Sequence, residues 1–174
     1  MAESVAGKLL VASPEIGDFF HRSVVLMVEH NEDGAFGLTL NHPSGTRLGE
    51  TIPELADRLG SDPLVRLGGP VAPNALTCIG EFEDPSESNR LLVGAVGMVD
   101  LERPPELDRF QVFAGYAGWS AGQLDVEMEQ EGWILAEPVA DDPFSEGDLW
   151  SEVLQRLGGE FELLARLPED PSVN

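Results

Sequence analysis

The sequence predicts a single α+β domain, in which strands dominate the first half and helices collect toward the second. Strand patterns follow one another through the first forty residues. The clearest helix starts come after residue 119, with isolated strand patterns between them. This order lacks the regular strand-helix alternation of a parallel doubly wound sheet, which favours α+β. We find no fixed-period repeat and no linker long enough to divide the chain, so we expect one domain over residues 1–167.

The front of the chain reads as a run of strands that includes a hairpin. An apolar stretch from Lys8 to Ala12 predicts the first strand. The segments Ser23 to Glu29 and Gly34 to Leu40 predict the next two, and the second of these alternates apolar and polar residues. Asp33-Gly34 lies between them, and this dipeptide favours a hairpin because both positions tolerate positive φ.

A short helix from about Ile52 to Leu59 is predicted next. Thr51 is placed to cap its N-terminus and Pro53 suits its first turn. Gly60 ends the apolar helical spacing. Further strands are predicted at Leu64 to Leu67, Ala75 to Phe82, Leu91 to Ala95, Phe110 to Ala114 and Trp133 to Ala136.

Two helices in the second half are predicted from their capping residues. Ser120 and Gln123 have the spacing of a capping box, which places a helix start at Ser120. Ser145 and Asp148 repeat that spacing before an amphipathic stretch. Residues 160–166 predict one more helix, and residues 168–174 a frayed tail.

Charge limits the partners that the chain can have. Thirty-two Asp and Glu stand against ten Lys and Arg, for a formal net charge of −22. Direct binding to nucleic acid or to an anionic membrane is disfavoured, because such binding depends on basic side chains. No stretch has the eighteen apolar residues of a membrane span, and the N-terminus lacks a signal-peptide pattern. The single cysteine, Cys78, fits a reducing compartment, so we expect a cytoplasmic protein.

The segment from Gly115 to Ser120 is the most distinctive motif. Glycines before a helix start permit close backbone approach, and a helix N-terminus attracts anions, which suggests a phosphate or carboxylate site. The segment matches neither the dinucleotide fingerprint nor the P-loop spacing. The favoured interpretation is therefore a tight strand-turn-helix corner in which Tyr116 and Trp119 pack against the sheet, with anion binding as a testable addition.

The remaining candidates carry weaker chemistry. Gly68-Gly69-Pro70 could form a backbone nest for an anion, although a plain turn is favoured. The spacing of His21, His30 and His42 does not match a zinc motif, so no metal and no cofactor are predicted. Cys78 lies in a strand pattern and is interpreted as a small core residue.

A series of short motifs follows in order along almost the whole chain. They are Leu9-Leu-Val-Ala-Ser13-Pro14, Phe20-His-Arg-Ser-Val-Val-Leu26, Gly34-Ala-Phe-Gly-Leu38, Asn41-His-Pro43, Gly68-Gly-Pro-Val71, Phe113-Ala-Gly-Tyr-Ala-Gly-Trp119, Gly122-Gln-Leu124, Asp142-Pro-Phe144 and Pro171-Ser-Val-Asn174. Taken together, these landmarks resemble the YqgE/AlgH family of bacterial proteins. The resemblance implies a small, partly closed β-barrel or mixed sheet surrounded by helices, in a cytosolic bacterial protein. It supplies no catalytic residues. Many members carry an Arg and a His in the strand after the Gly68 motif, and residues 73–79 here have neither.

The distinctive residues are glycines, aromatics and single polar groups, which favours a non-enzymatic binding or regulatory module. Its partner would be a small anion or a protein. The expected surface comprises Ser13, His21, Arg22, Asn41, His42, Gly68, Gly69, Gly115, Tyr116, Gly118, Trp119, Ser120 and Gln123. One alternative is a hydrolase or transferase with His21 or His42 as base and the Ser120 helix end as anion holder. Another is a transcriptional regulator that acts through a protein partner.

Overall fold

The computed structural model describes residues 3–167; the predicted frayed tail, residues 168–174, lies outside this range. The strands are β1 (Leu9–Ala12), β2 (Val24–Asn31), β3 (Gly34–Thr39), β4 (Pro43–Arg47), β5 (Leu64–Leu67), β6 (Val71–Phe82), β7 (Leu91–Val93), β8 (Val96–Met98), β9 (Leu107–Ser120) and β10 (Trp133–Ala136). The helices are α1 (Leu48–Thr51), α2 (Pro53–Leu59), α3 (Gln123–Glu129), α4 (Leu149–Leu157) and α5 (Glu160–Leu164). The α+β class is confirmed.

The strands form one large, mostly antiparallel sheet in the order β10-β1-β2-β3-β9-β6-β8-β7. Strands β4 and β5 branch from it, and β5 joins β9 in parallel. Strands β10 and β7 stand at opposite ends of this order, and no pairing between them closes the sheet within residues 3–167. The expected partly closed barrel is therefore not supported, and the sheet is open.

Helices cover both faces of the sheet. Helix α4 packs on one face, where Trp150 and Leu154 meet apolar residues of β1, β2, β3 and β9. On the other face, Leu124 of α3 packs with alternate residues of β1 and β2. Helix α2 covers the part of β6 and β9 that contains Cys78 and Val112. Because side chains alternate along a strand, each central strand contributes to both cores.

Strand β9 reverses its faces at Gly115. Phe113 is buried in the α4 core, and Tyr116 packs against that same core. Side chains three positions apart in a regular strand point to opposite faces of the sheet, so a regular strand would place these two rings on opposite faces. Gly115 has a φ of 74°, which introduces the irregularity. Beyond it, Trp119 faces the α3 core.

Gly115 and Gly69 lie where two backbones touch. A Cβ on Gly69 would lie 2.0 Å from the Tyr116 carbonyl carbon, and one on Gly115 would lie 2.4 Å from the Gly69 carbonyl oxygen. No side chain fits at either position. The Gly68-Gly69 segment is thus a close crossing of backbones against β9, and this crossing gives its glycines a structural purpose.

Several predicted element ends are wrong. Strand β9 continues to Ser120, so the segment up to Trp119 is a strand and not a turn that opens into a helix. Helix α3 begins at Gln123 after Gly122, whose φ is 76°. The predicted hairpin of β2 and β3, the apolar α4 and the C-terminal α5 are confirmed.

The caps also differ in detail from the sequence-based expectation. Thr51 ends the short helix α1, and Ile52 takes the N-cap position of α2. At α4 the capping side chain is Asp148, whose carboxylate accepts from the Ser151 N–H. Each difference shifts a boundary by a few residues, where local hydrogen-bonding alternatives compete closely.

No helix within residues 3–167 is long and apolar enough to cross a membrane.

Replacing Gly115 by alanine tests the backbone crossing. The change combines a left-handed φ with a Cβ that meets a backbone carbonyl, so we expect it to cost at least about 3 kcal/mol of the free energy of unfolding. Urea denaturation measures this loss, and complete failure to fold is its extreme form.

Gly60→Ala is the matched control for this prediction. Gly60 has a φ of 71° but nothing within 4 Å of an added Cβ. We expect a loss of about 1 kcal/mol from the backbone conformation alone. Equal losses in the two variants would contradict the role of the crossing.

Candidate functional site

The predicted site residues lie in several parts of the fold and do not form one site. His21, Arg22, Asn41 and His42 lie where β2 begins and β3 has ended. Gly68, Gly69 and Gly115 form the backbone crossing. Tyr116, Gly118 and Trp119 line an open groove. Ser13 lines a smaller cavity on the α3 side, while Ser120 ends β9 and Gln123 begins α3.

Asn41 holds the backbone together where β2 begins and β3 has ended. Its Oδ1 accepts from the Val24 N–H at 2.9 Å, and its Nδ2 donates to the Arg22 carbonyl at 2.9 Å. Both polar ends of the amide are therefore occupied by main chain. The Asn41 side chain therefore has a structural role, and both of its polar groups are used in these two hydrogen bonds.

Arg22 is also held by internal contacts. Its backbone has a φ of 55°, an uncommon conformation for a residue with a side chain. The guanidinium lies 4.4 Å from the centre of the Trp150 ring, and Nη2 donates to the Leu167 carbonyl at 2.7 Å. These contacts join the corner to α4 and to the segment after α5.

His42 stacks on Phe19, with ring centroids 4.1 Å apart and planes 17° from parallel. Partial burial lowers the pKa of His42 from its ordinary value, against the opposing effect of a hydrogen bond to the Phe19 backbone. The Nδ1 atom of His21 lies 3.1 Å from the Ile16 carbonyl oxygen. Both rings are engaged by the loop between β1 and β2.

The structure places His42 and Ser120 at opposite ends of β3. Ser120 pairs with Gly34 at the first end, whereas His42 follows Thr39 at the other. Five residue steps separate these two ends, about 16 Å at the rise of a β-strand. Gln123 Oε1 accepts from the Ser120 N–H at 3.0 Å, so the predicted pairing of these two residues exists. It does not complete a site with His42, and α3 has only seven residues.

Arg66 is a partly buried cation that the sequence patterns did not indicate. Its guanidinium donates to the carbonyl oxygens of Leu40, Pro143 and Ser145, at 3.1, 2.8 and 2.8 Å. Burial lowers the pKa of Arg66, and the nearby Glu146 carboxylate opposes that change. A single arginine does not form a periodic pattern. Local sequence patterns therefore give no sign that Arg66 holds these backbone segments together.

An open groove of about 720 Å³ lies on the α4 side of the sheet, beside the β2–β3 hairpin. Phe36 and Tyr116 meet edge to face on it, with ring centroids 5.9 Å apart. Val71, 38% exposed, lies next to Tyr116 in the pairing of β6 with β9. Gly118 leaves space in the groove because it has no side chain. A Cβ added there would contact the Tyr116 ring and Val71.

The rim of this groove is acidic and polar. Glu29, Asn31 and Asp33 line it on the hairpin side. Glu29 pairs with Phe36 across β2 and β3, so the carboxylate and the ring share a face. An apolar floor beside carboxylates suits a ligand that combines positive charge with an apolar side chain.

On the opposite face, Glu127 joins two tryptophans. Its Oε1 accepts from the indole N–H groups of Trp119 and Trp133, at 3.0 and 2.9 Å. Its Oε2 accepts from Gln123 Nε2 at 2.9 Å. A cluster formed in three dimensions around β9 and β10 leaves no mark in local periodicity, so sequence patterns do not single out Glu127.

Cys78 is buried, and burial raises the pKa of its thiol to about 12. Its prediction as a core residue is confirmed. Residues 3–167 contain no group of three or more His, Cys, Asp or Glu side chains placed to hold a metal ion.

These features define an α+β protein with an open ten-stranded sheet, helices on both faces and an acidic groove. The chain belongs to the AlgH-like family, whose model matches residues 9–162. A UPF0301 protein of Streptomyces coelicolor is 38% identical over 98% of this chain and 96% of its own length. A UPF0301 protein of Nocardia farcinica is also 38% identical, over 94% of this chain and 82% of its own length.

Two solved structures share the fold. A Corynebacterium diphtheriae protein superposes with a TM-score of 0.82 at 28% identity, covering 94% of this chain and 92% of that one. The AlgH protein of Pseudomonas aeruginosa superposes with a TM-score of 0.70 at 27% identity, covering 97% and 98%. The resemblance found in the sequence motifs is confirmed.

The burial of His42 predicts a measurable titration. Its folded-state pKa is lowered, so its contribution to stability is present above the unfolded value of 6.5 and is lost as the pH falls through the folded pKa. An NMR titration should place the His42 midpoint below 6.5.

Phe19→Ala provides the comparison, because it uncovers the ring while keeping the backbone hydrogen bond. We expect the His42 midpoint to rise toward the ordinary value in this variant. A midpoint at or above 6.5 in the unaltered protein would contradict the burial of His42.

Proposed function

We propose that this protein is a non-enzymatic binding module that receives a basic segment of a partner protein in the groove beside the β2–β3 hairpin. The observation that carries the proposal is the combination, in one open groove, of an exposed apolar floor and an acidic rim. Tyr116, Gly118 and Trp119, three of the residues predicted from sequence, line this groove.

The floor supplies the apolar part of recognition. Phe36 and Tyr116 are each half-buried, and Val71 is 38% exposed. Aromatic rings with an accessible face provide large contact areas at little cost in side-chain entropy. A partner side chain of aliphatic or aromatic type would remove this surface from water.

The negative charge for recognition comes from the rim of the groove and from the molecule as a whole. Glu29 and Asp33 line the groove, and the chain as a whole has a formal net charge of −22. This field accelerates the approach of cations and opposes anions. Of the two partner types expected from sequence, a small anion and a protein, the acidic rim favours a protein with lysine or arginine beside its apolar residues.

A binding role also accounts for the separation of the titratable groups. General acid-base chemistry requires groups within hydrogen-bond reach of one substrate. The alternative hydrolase or transferase would use His21 or His42 together with Ser120, and β3 separates His42 from Ser120 by its full length.

Regulation of transcription through a protein partner would be one use of such a groove. We place the protein in the cytoplasm within this proposal. A single cysteine and the buried thiol of Cys78 are consistent with a reducing compartment.

Titration with a short peptide of alternating lysine and leucine tests the groove. We expect saturable shifts of the backbone amide signals of Phe36, Val71 and Tyr116 in a ¹⁵N–¹H correlation spectrum, because their side chains line or floor the site. A peptide of alternating glutamate and leucine should produce no such shifts.

Charge-matched double variants separate groove recognition from general attraction to an acidic protein. Glu29→Gln with Asp33→Asn removes two rim carboxylates, and we expect about tenfold weaker peptide binding. Glu54→Gln with Asp57→Asn removes two exposed carboxylates from α2 and should leave the affinity nearly unchanged. Equal weakening in both pairs would defeat the proposal.

A further inference from the structure

A second cavity, of about 310 Å³, lies between the loop after β1 and the connection from α3 to β10. Ser13, Glu15, Phe20, Glu127 and Trp133 line it. Phe20 and Trp133 belong to the core on the α3 side of the sheet. This cavity is therefore on the opposite face of the sheet from the groove.

Ser13 carries an unused polar group in this cavity. The residue is only 8% exposed, and its Oγ has no hydrogen-bond partner among residues 3–167. Its backbone is fixed, since its N–H donates to the Gly132 carbonyl and its own carbonyl accepts from the Ile16 N–H. A buried hydroxyl without a partner is uncommon in folded proteins and costs stability.

Glu127 retains capacity to accept one more hydrogen bond. An ionised carboxylate offers about four acceptor positions. Trp119, Trp133 and Gln123 occupy three of them, and both indole bonds go to Oε1, which leaves a position on Oε2. Since those donors are neutral, the negative charge of Glu127 is balanced by no cation in these bonds.

The walls of the cavity suit an alkyl chain. Phe20 meets Trp133 edge to face, with centroids 5.7 Å apart, and Ile16 lies beside them. Glu15 is exposed and adds a second carboxylate at the cavity. Aromatic rings attract cations through their faces, and this attraction adds to that of the carboxylates.

We propose that this cavity binds a primary alkylammonium group, supplied either by a small free amine or by a lysine side chain. The ammonium N–H groups would donate to Ser13 Oγ and Glu127 Oε2, with Glu15 as the outer countercharge. The alkyl chain would pack on Phe20 and Trp133. A quaternary ammonium has no N–H to satisfy Ser13, and an anion would be repelled by both carboxylates.

Titration of the intact protein with n-butylammonium chloride tests the site. We expect saturable shifts of the indole N–H signals of Trp119 and Trp133, which both bond to Glu127. The indole N–H of Trp150, bonded to the Ala12 carbonyl on the α4 side, should move least. Tetramethylammonium should bind about tenfold more weakly, and n-butanol should show no saturation.

Parallel titrations distinguish the two sources of the group. If a free amine is the natural ligand, n-butylammonium and the Nα-acetyl amide of lysine should differ in affinity in favour of the smaller compound. If a protein lysine is the ligand, the capped lysine should bind at least as tightly. Either result supports the alkylammonium site, and lack of saturation by both compounds overturns it.

Ser13→Ala separates binding from a purely structural role. Removing an unpartnered buried hydroxyl should leave the thermal midpoint unchanged or raised, while binding of n-butylammonium weakens about tenfold. Thr39→Val is the matched control, because Thr39 is a second buried hydroxyl without a partner in the described residues, and it does not line this cavity. Unchanged binding in Ser13→Ala would overturn the proposal, as would equal weakening in Thr39→Val.

Discussion

The close approach of Gly69 to Gly115 is the constraint on which the rest of the structure depends. Two backbones touch because neither residue has a side chain, and this contact brings β5 beside β9 in parallel. The left-handed backbone of Gly115 also exchanges the two faces of β9. Tyr116 therefore reaches the groove and Trp119 reaches the Glu127 cluster. The backbone conformation of one glycine, Gly115, therefore determines which side chains reach each of the two candidate sites.

Three arginines make contacts that hold loops and turns of the molecule together. Arg22 lies on the Trp150 ring, Arg66 donates to three carbonyls, and Arg156 pairs with the buried Asp142 at 2.8 Å. These cations brace turns and loops against the sheet. With a formal net charge of −22, the acidic residues set the sign of the outward electrostatic field.

Local sequence patterns predicted much of the fold, because they follow the periods of strands and helices. The β2–β3 hairpin followed from alternation around Asp33-Gly34, and α4 followed from its apolar stripe. The boundary at Ser120 was wrong, since glycines and a capping pair resemble a helix start whether or not the strand continues. The sheet's openness is a matter of long-range pairing, which a single sequence does not record.

The candidate sites were partly predictable for the same reason. Tyr116 and Trp119 were recognised as a distinctive motif, but the face of the sheet that each one takes depends on the φ of Gly115. Phe36 reaches its site only through the pairing of β3 with β9, two strands that are far apart in the chain. Distance in sequence hides such partners, whereas glycine-aromatic composition draws attention to the region where they meet.

The burial of Cys78 turns the only cysteine into an internal reporter of motion. It lies in β6 beneath α2, opposite Val112 of β9. A thiol with a pKa of about 12 reacts with a disulfide reagent only when the surrounding structure opens. The labelling rate at neutral pH therefore measures how often α2 lifts from the sheet, without any engineered probe. A partner that stiffens this half of the molecule would lower the labelling rate of Cys78.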